Sequence, residues 1–215
     1  MLTKAVCVAF VGYTYFFIVV PPKAGRNLSK TDDKLSQDSV IAKVHYYYAT
    51  KVAPTTTIFL TAFYLYQLWQ GKIPSDLKMW EAVATVVHLF VYRLRMDAYR
   101  ELNRMFTYKI MIRSDHQLIT TGPYKHLRHP SYTGYALGSI CFNMLVIYGG
   151  LWDAVIYPWT GMYLSVSVAL IVFGTYFGLF VVRRIHFEEA MLSEHFGSEW
   201  SEYASKTWRI IRFVY

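Results

Sequence analysis

Cysteine is scarce in this chain of 215 residues, and no cysteine has the spacing of a metal site. The two cysteines, Cys7 and Cys141, each lie inside an apolar run. Without a CxxC motif or a nearby cluster of ligands, both are expected to pack as small hydrophobic residues. The sequence therefore predicts neither a disulfide framework nor a bound metal.

Charged residues are also few, and acidic ones are fewer than basic ones. Asp, Glu, Lys and Arg make up 17% of the chain, against about 25% in soluble globular domains. The 22 Lys and Arg outnumber the 14 Asp and Glu, for a formal net charge of +8. In a soluble protein this excess could indicate nucleic acid. Here it is better explained by loops that face an anionic cytoplasmic leaflet, so no nucleic-acid partner is expected.

The sequence instead contains long apolar blocks. They cover residues 5–20, 53–69, 77–94, 132–148 and 156–182. They predict an all-α integral membrane protein with about five transmembrane helices in one domain, residues 1–215. The first block could instead be a signal peptide, but no small-residue cleavage pattern follows it. The fifth continues without a helix breaker into residues 183–189, so this helix is expected to enter the cytosol, and a last short helix is predicted at 198–206.

The basic residues alternate between the segments that separate these blocks. Segments 23–51, 93–130 and 183–215 hold 19 Lys and Arg, whereas the N-terminus and the turns at 70–78 and 149–158 hold 3. Cytoplasmic loops are the ones enriched in Lys and Arg. The pattern predicts five spans with the N-terminus outside and the chemistry on the cytosolic face.

The first candidate for that chemistry is the segment 115–132. Gly122 and Pro123 predict a turn, and Pro130 suits the first position of the fourth helix because the residue before a proline avoids helical geometry. A helix N-terminus there would attract a carboxylate or phosphate, with Arg128 and His129 as further donors. The alternative is a juxtamembrane basic stop with aromatic interface anchors.

The second candidate lies where the fifth helix leaves the membrane. Arg184 and Glu188 are four residues apart and share a helical face, with Glu189 on the adjacent face. Charge at membrane depth is costly and tends to face a cavity. An arginine there can hold a carboxylate, and a glutamate can bind ribose hydroxyls or balance a sulfonium. Alternatively, these groups are solvated or paired with each other.

Together the two segments resemble the isoprenylcysteine carboxyl methyltransferase family over residues 93–207, which would be the catalytic region. The lead-in is Arg95, Leu102, Phe106 and Thr107, and the motif residues that carry the resemblance are Leu118, Ile119, Thr120, Thr121, Gly122, Pro123, Tyr124, Arg128, His129, Pro130, Ser131, Tyr132, Thr133, Gly134, Glu188, Glu189, Leu192, Phe196, Gly197 and Tyr203.

The resemblance implies a protein-S-isoprenylcysteine O-methyltransferase of the endoplasmic reticulum membrane. Its cofactor would be S-adenosyl-L-methionine, its substrate the carboxylate of prenylated protein C-termini, and its surroundings membrane lipid. Arg184 would contact the substrate carboxylate. The residues expected to bind the cofactor are His116, Gln117, Leu118, Ile119, Tyr124, His129, Pro130, Ser131, Tyr132 and Glu188.

The residues themselves are compatible with this chemistry. No glycine-rich strand–turn–helix fingerprint is present, which excludes a Rossmann nucleotide site. Methylation of a carboxylate needs no general base, because the nucleophile is already ionised near pH 7. Three alternatives stay open: N-methylation of an ethanolamine phospholipid, for which His129 or Glu189 would be the base; a nicotinamide-dependent membrane reductase; and a non-enzymatic scaffold.

Overall fold

The computed structural model describes residues 1–20, 47–106, 112, 116–160 and 163–210. Helices form the regular structure of these ranges, and an isolated parallel bridge pairs Leu127 with Trp208. The predicted all-α class is confirmed. Most of the predicted polar segment 23–51, Thr107, Asp115 and residues 211–215 lie outside the described residues.

Six helices make up the main elements. They are α1, Leu2–Val19; α2, Ala53–Trp69; α3, Met79–Leu102; α4, Pro130–Asn143; α5, Tyr163–Phe196; and α6, Ser198–Lys206. Shorter helical pieces are Tyr48–Val52, Asn103–Met105, Gly122–Lys125, Met144–Ile156 and Tyr157–Thr160. Helices α2 and α6 have the predicted bounds, residues 53–69 and 198–206.

Helix α3 extends well beyond the apolar block at 77–94 that predicts it. Asp97 accepts charged hydrogen bonds from Arg93 and Arg100, each at 2.8 Å, so ion pairs one turn apart support the polar end. At its start, the Glu81 carboxylate accepts the backbone N–H of Lys78 at 2.8 Å and caps the helix. Neither the ion pairs at the end of the helix nor the cap at its start can be predicted from hydropathy alone.

Helix α4 begins at Pro130, as the His129–Pro130 sequence predicts. The backbone then continues as a π-helix, Met144–Ile156, with a break at Gly150, whose φ of 156° is accessible mainly to glycine. A Cβ at Gly150 would also clash with the side chain of Ile73. The predicted turn at 149–158 is therefore reduced to the break at Gly150, and the residues on either side of it are helical.

Helix α5 runs without interruption through residues 183–189, as predicted, and ends before Gly197. Helices α3 and α4 pack closely where Gly134 meets α3, since a Cβ at Gly134 would lie 2.7 Å from the Cβ of Arg95. Helix α1 packs against α2, α3 and α4, and its Val8, Val11 and Ile18 lie in the apolar core. This arrangement fixes the start of α4 beside the end of α3.

Two helical stretches in the described ranges, Leu2–Val19 and Pro130–Val155, are long and apolar enough to cross a membrane. Helices of this length and composition also occur as buried core helices of soluble proteins, so these two alone do not establish five spans.

Candidate active site

The Arg-His-Pro corner before α4 is held in place by the segment that follows α6. The backbone N–H of Arg128 donates to the carbonyl of Trp208 at 2.7 Å, and that of His129 to the carbonyl of Arg209 at 3.0 Å. The hydroxyl of Thr133 donates to the carbonyl of Ile210 at 2.6 Å. The corner is thus anchored by a backbone segment about 80 residues away in sequence.

Glu189 of α5 connects this corner to the end of the chain. Its Oε1 lies 3.0 Å from a terminal guanidinium nitrogen of Arg128 and 3.1 Å from Nε2 of His129, and its Oε2 lies 2.9 Å from Nε of Arg209. The side chain is 9% exposed. A buried carboxylate with three cationic or hydrogen-bonding neighbours costs much less to desolvate than an isolated one.

The charge state of Glu189 follows from these neighbours. Burial alone would raise its pKa, but the hydrogen bond from His129 and the charges of Arg128, His129 and Arg209 outweigh burial, so the pKa lies below its ordinary value. Glu189 is therefore ionised at neutral pH. An ionised carboxylate with a lowered pKa is a weak base, which argues against Glu189 as the base of an amine methyltransferase.

A second chain of contacts joins α4 and α5 through Tyr132. The Nε of Arg184 donates to the hydroxyl oxygen of Tyr132 at 2.6 Å, and that hydroxyl donates to Oε2 of Glu188 at 3.1 Å. All three side chains are half-buried. The structure thus brings together the predicted residues Arg184, Glu188 and Tyr132 by direct hydrogen bonds.

Tyr124 lies beside this group in the turn Gly122–Lys125. Its side chain is buried, and burial together with the nearby charge of Glu188 raises the pKa of its phenol well above the ordinary value. Its carbonyl accepts a 2.8 Å hydrogen bond from the hydroxyl of Tyr203 on α6. Burial raises the pKa of Tyr203 to about 12, so this hydroxyl stays protonated and keeps donating at neutral pH.

The remaining predicted cofactor residues lie at two places. His129, Pro130 and Ser131 form the corner and the first turn of α4, next to Tyr132. The segment 116–119 lies near the end of α5, where the ring of His116 is 6.0 Å from that of Phe196. In this segment Gln117 is exposed, and Leu118 and Ile119 are half-buried.

The group formed by Tyr132, Arg184 and Glu188 has the chemistry to bind a zwitterionic nucleoside. A guanidinium and a carboxylate are each hydrogen-bonded to the same phenol, with the buried ring of Tyr124 nearby. These groups can accept from ribose hydroxyls or an ammonium, hold a carboxylate and present a ring face to a sulfonium. In the described part of the chain, no group of three or more His, Cys, Asp or Glu side chains could hold a metal.

Two features of the site were missed from sequence. Residues 208–210 give no local signal that they pair with the corner. The partners of Glu189 were also not predicted, since spacing along α5 cannot show which of two adjacent glutamates is ionically paired. The arginines in the segment after α6 are the signal that could have indicated an ionic partner for Glu189.

The part of the chain that contains this site is similar to known proteins. The model of the isoprenylcysteine carboxyl methyltransferase (ICMT) family matches residues 83–194, just over half of the chain. The chain is 31% identical over 123 residues to protein-S-isoprenylcysteine O-methyltransferase B of Arabidopsis thaliana, an alignment that covers 56% of this chain and 53% of the relative. It is 30% identical over 96 residues to protein-S-isoprenylcysteine O-methyltransferase of Dictyostelium discoideum, covering 45% and 33%.

A probable protein-S-isoprenylcysteine O-methyltransferase of Oryza sativa subsp. indica is 29% identical over 113 residues, which cover 52% of this chain and 50% of the relative. The chain spans about half the length of the Arabidopsis and rice relatives. None of these names supports a phospholipid methyltransferase. The family match contains α4, the Arg-His-Pro corner and the adjacent Glu188 and Glu189 of α5, and the chain belongs to the isoprenylcysteine carboxyl methyltransferase family.

Proposed function

We propose that this chain transfers a methyl group from S-adenosyl-L-methionine to the C-terminal prenylcysteine carboxylate of prenylated proteins. The observation that carries the proposal is the hydrogen-bonded chain of Arg184, Tyr132 and Glu188 beside the Arg-His-Pro corner. It gives a cation for the substrate carboxylate and an anion for the methyl donor on opposite sides of one tyrosine. The names of the relatives support the substrate class.

The charge of each side chain determines its role in the proposed reaction. S-adenosyl-L-methionine would supply an electrophilic methyl group on a sulfonium. Arg184 would bind the substrate carboxylate and orient one of its oxygens toward that methyl group. Glu188 would bind the ribose hydroxyls or balance the sulfonium charge, and Tyr132 would fix the distance between the two side chains.

The rate gain in this scheme comes from alignment and desolvation rather than from proton transfer. The carboxylate is ionised near pH 7 and needs no base. Holding oxygen, carbon and sulfur in line removes much of the entropic barrier. His129 is hydrogen-bonded to Glu189, so its role in this scheme is to shape the corner, and His116, Gln117, Leu118, Ile119, Pro130 and Ser131 would complete the nucleoside site with Tyr124.

We also propose that the chain spans the endoplasmic reticulum membrane five times, with the N-terminus outside the cytosol. Exposed apolar side chains support membrane embedding. Along α1 and α3 they recur every three or four residues and so form one stripe per helix: Leu2, Val6, Phe10, Tyr13 and Phe17, and Met79, Val83, Val86 and Phe90. Such stripes would be unfavourable in water and suit lipid.

The position of the polar clusters supports the topology. Lys4, Glu81 and the carbonyl of Gly149 lie together, with an ion pair of 2.8 Å between the first two. They come from the N-terminus and from the ends of the two segments poor in Lys and Arg. The corner, Glu188 and Glu189 come from the basic segments and gather at the other end of α3 and α4. The parts of these segments that the structure describes therefore lie toward opposite ends of α3, which supports the proposed topology.

A labelled methyl-transfer assay tests the function. Membranes that contain the protein are incubated with methyl-labelled S-adenosyl-L-methionine and a farnesylcysteine derivative. Base-labile label in the prenylcysteine product is the expected result, because methyl esters hydrolyse in base. Label in phospholipid instead, or no transfer in membranes that carry folded protein, would contradict the proposal.

A further inference from the structure

Arg95 is a buried cation outside the chain of contacts described above. It lies on α3, is 9% exposed, and packs against the first turns of α4 at Gly134. Its guanidinium carbon lies 4.8 Å from the ring centroid of Tyr99 and 5.1 Å from that of Tyr135. Contact with aromatic ring faces reduces the free-energy cost of burying a cation, but it does not neutralise the positive charge.

The hydrogen bonds of Arg95 leave part of its donor capacity unused. One terminal nitrogen donates to the carbonyl and, at 2.9 Å, to the hydroxyl of Ser131. Its Nε is buried without an acceptor. The hydroxyl of Tyr99, one turn further along α3, is buried beside it and contacts the side chains of Ser131 and Arg95. Among the described residues, no carboxylate lies within 4.0 Å of the Arg95 nitrogens. A buried guanidinium normally has an anionic partner.

These observations indicate an anion that the described residues do not themselves supply. The Nε of Arg95, which has no acceptor, and the neighbouring hydroxyl of Tyr99 match the two oxygens of a carboxylate. The location is next to the proposed cofactor site, because Ser131 bonds to Arg95 and precedes Tyr132. The charges of both Arg95 and Glu188 act on Tyr124, which shows that the two groups are close to the same ring.

We propose that Arg95, assisted by the hydroxyl of Tyr99, binds the α-carboxylate of the amino-acid part of the methyl donor. This inference rests on the proposed function. Arg184, on the α5 side of Tyr132, is left for the substrate carboxylate, so the two carboxylates have separate cations. Glu188, which accepts a hydrogen bond from the hydroxyl of Tyr132, carries the charge opposite to that of the sulfonium and ammonium groups.

The test compares two ligands that differ by one carboxylate. Binding of S-adenosylhomocysteine and of its decarboxylated analogue to the purified full chain in detergent is measured by calorimetry. The wild type is expected to bind S-adenosylhomocysteine about 10- to 100-fold more tightly, as for a charged hydrogen bond. Arg95→Gln should remove that preference and leave the affinity for the analogue unchanged.

Two further variants keep the test decisive. Arg93→Gln is the matched control, since Arg93 is on the same helix, is 73% exposed and pairs with Asp97; it should retain the preference. Tyr99→Phe removes only the hydroxyl and should reduce the preference several-fold, which tests the site even if Arg95→Gln does not fold.

Three results would overturn the inference. Equal weakening of both ligands by Arg95→Gln and Tyr99→Phe would mean a structural role. An unchanged preference in both variants would mean that no carboxylate binds there. An unchanged preference with a raised KM for farnesylcysteine would assign Arg95 to the substrate instead. If the folded wild type bound neither ligand, the proposed function itself would fail, which is a distinguishable outcome.

Discussion

The two ends of α3 each carry a buried charge cluster, and the clusters differ in how their charges are matched. At the start of the helix, Glu81 pairs with Lys4 at 2.8 Å, and each side chain is 1% exposed. Near its end, Arg95 is buried with no carboxylate contact among the described residues. The two positions are roughly 20 Å apart at 1.5 Å per residue.

The matched cluster is electrically neutral, because the Lys4 ammonium lies 2.8 Å from the Glu81 carboxylate. Lys4 also donates to the carbonyl of Gly149 at 3.3 Å, and the hydroxyl of Tyr64 donates to the same oxygen at 3.1 Å. It ties α1, α2 and α3 to the π-helix after α4. At the other end, the proposed site at Arg95 keeps a donor for a ligand, so buried charge would stabilise the fold at one end and serve binding at the other.

The largest expected effect is on stability and concerns the Lys4–Glu81 pair at the start of α3. Lys4→Met leaves the Glu81 carboxylate buried without its cation, which should cost about 3–5 kcal/mol of unfolding free energy. Lys4→Met combined with Glu81→Leu should recover most of that loss, because no lone charge remains. Thermal unfolding in detergent measures both variants.

The control for this experiment is Lys206→Met, which removes one member of an exposed pair with Glu202 at 2.6 Å. Its melting temperature should equal that of the wild type. Loss of methyl transfer by the folded double variant of Lys4 and Glu81 would contradict the division between a structural end and a functional end.

The next largest effect is on turnover at the other end. Arg184→Ala removes the cation proposed to bind the substrate carboxylate, and kcat/KM should fall about 100- to 1,000-fold, the range seen when one donor that stabilises a reacting anion is removed. Binding of S-adenosylhomocysteine should change little. The methyl-ester assay and calorimetry check the two parts.

Arg183→Ala is the matched control, because Arg183 is exposed on the same helix next to Arg184. It should retain activity. Normal turnover by Arg184→Ala, or equal loss by both variants, would remove Arg184 from its assigned role.

A smaller effect is expected at Glu188. Glu188→Gln keeps the size of the side chain but removes its charge, so the Kd for S-adenosylhomocysteine should rise roughly 10- to 100-fold. Glu194→Gln, on an exposed position of α5, is the control and should bind normally. Tight binding by Glu188→Gln would place the methyl donor elsewhere.

The smallest effect concerns pH and the adjacent Glu189. Because its pKa is lower in the folded chain than its ordinary value of 4.5, its contribution to stability is complete above about pH 4.5 and disappears as the pH falls through the folded value. The melting temperature of the wild type should therefore drop on acidification below pH 4.5. Glu189→Gln should start from a lower melting temperature and show a shallower drop; identical acid dependence in both would contradict the ion-pair assignment.

The sequence is sufficient for the elements whose physics is local. Apolar blocks place α2 at residues 53–69, and Pro130 marks the start of α4, because a proline constrains the backbone only at its own position and at the residue before it. The proximity of Arg184, Glu188 and Tyr132 could also be expected from sequence. The resemblance assigns all three residues to one site, and Arg184 and Glu188 are four residues apart on α5.

The rest depends on contacts between residues far apart in the chain. The Lys4–Glu81 pair joins two helices 77 positions apart, and Arg95 is one of several basic residues in a polar stretch, so nothing in the sequence shows that it is buried. The extension of α3 to Leu102 likewise depends on side-chain ion pairs rather than on hydropathy.

The most direct test of the account is the affinity of the purified full chain for S-adenosylhomocysteine, measured alongside Glu188→Gln and the double variant Lys4→Met with Glu81→Leu. The account predicts one site per chain, weakened in Glu188→Gln and unchanged in the double variant. A folded wild type with no affinity, or equal weakening by changes at both ends, would contradict it.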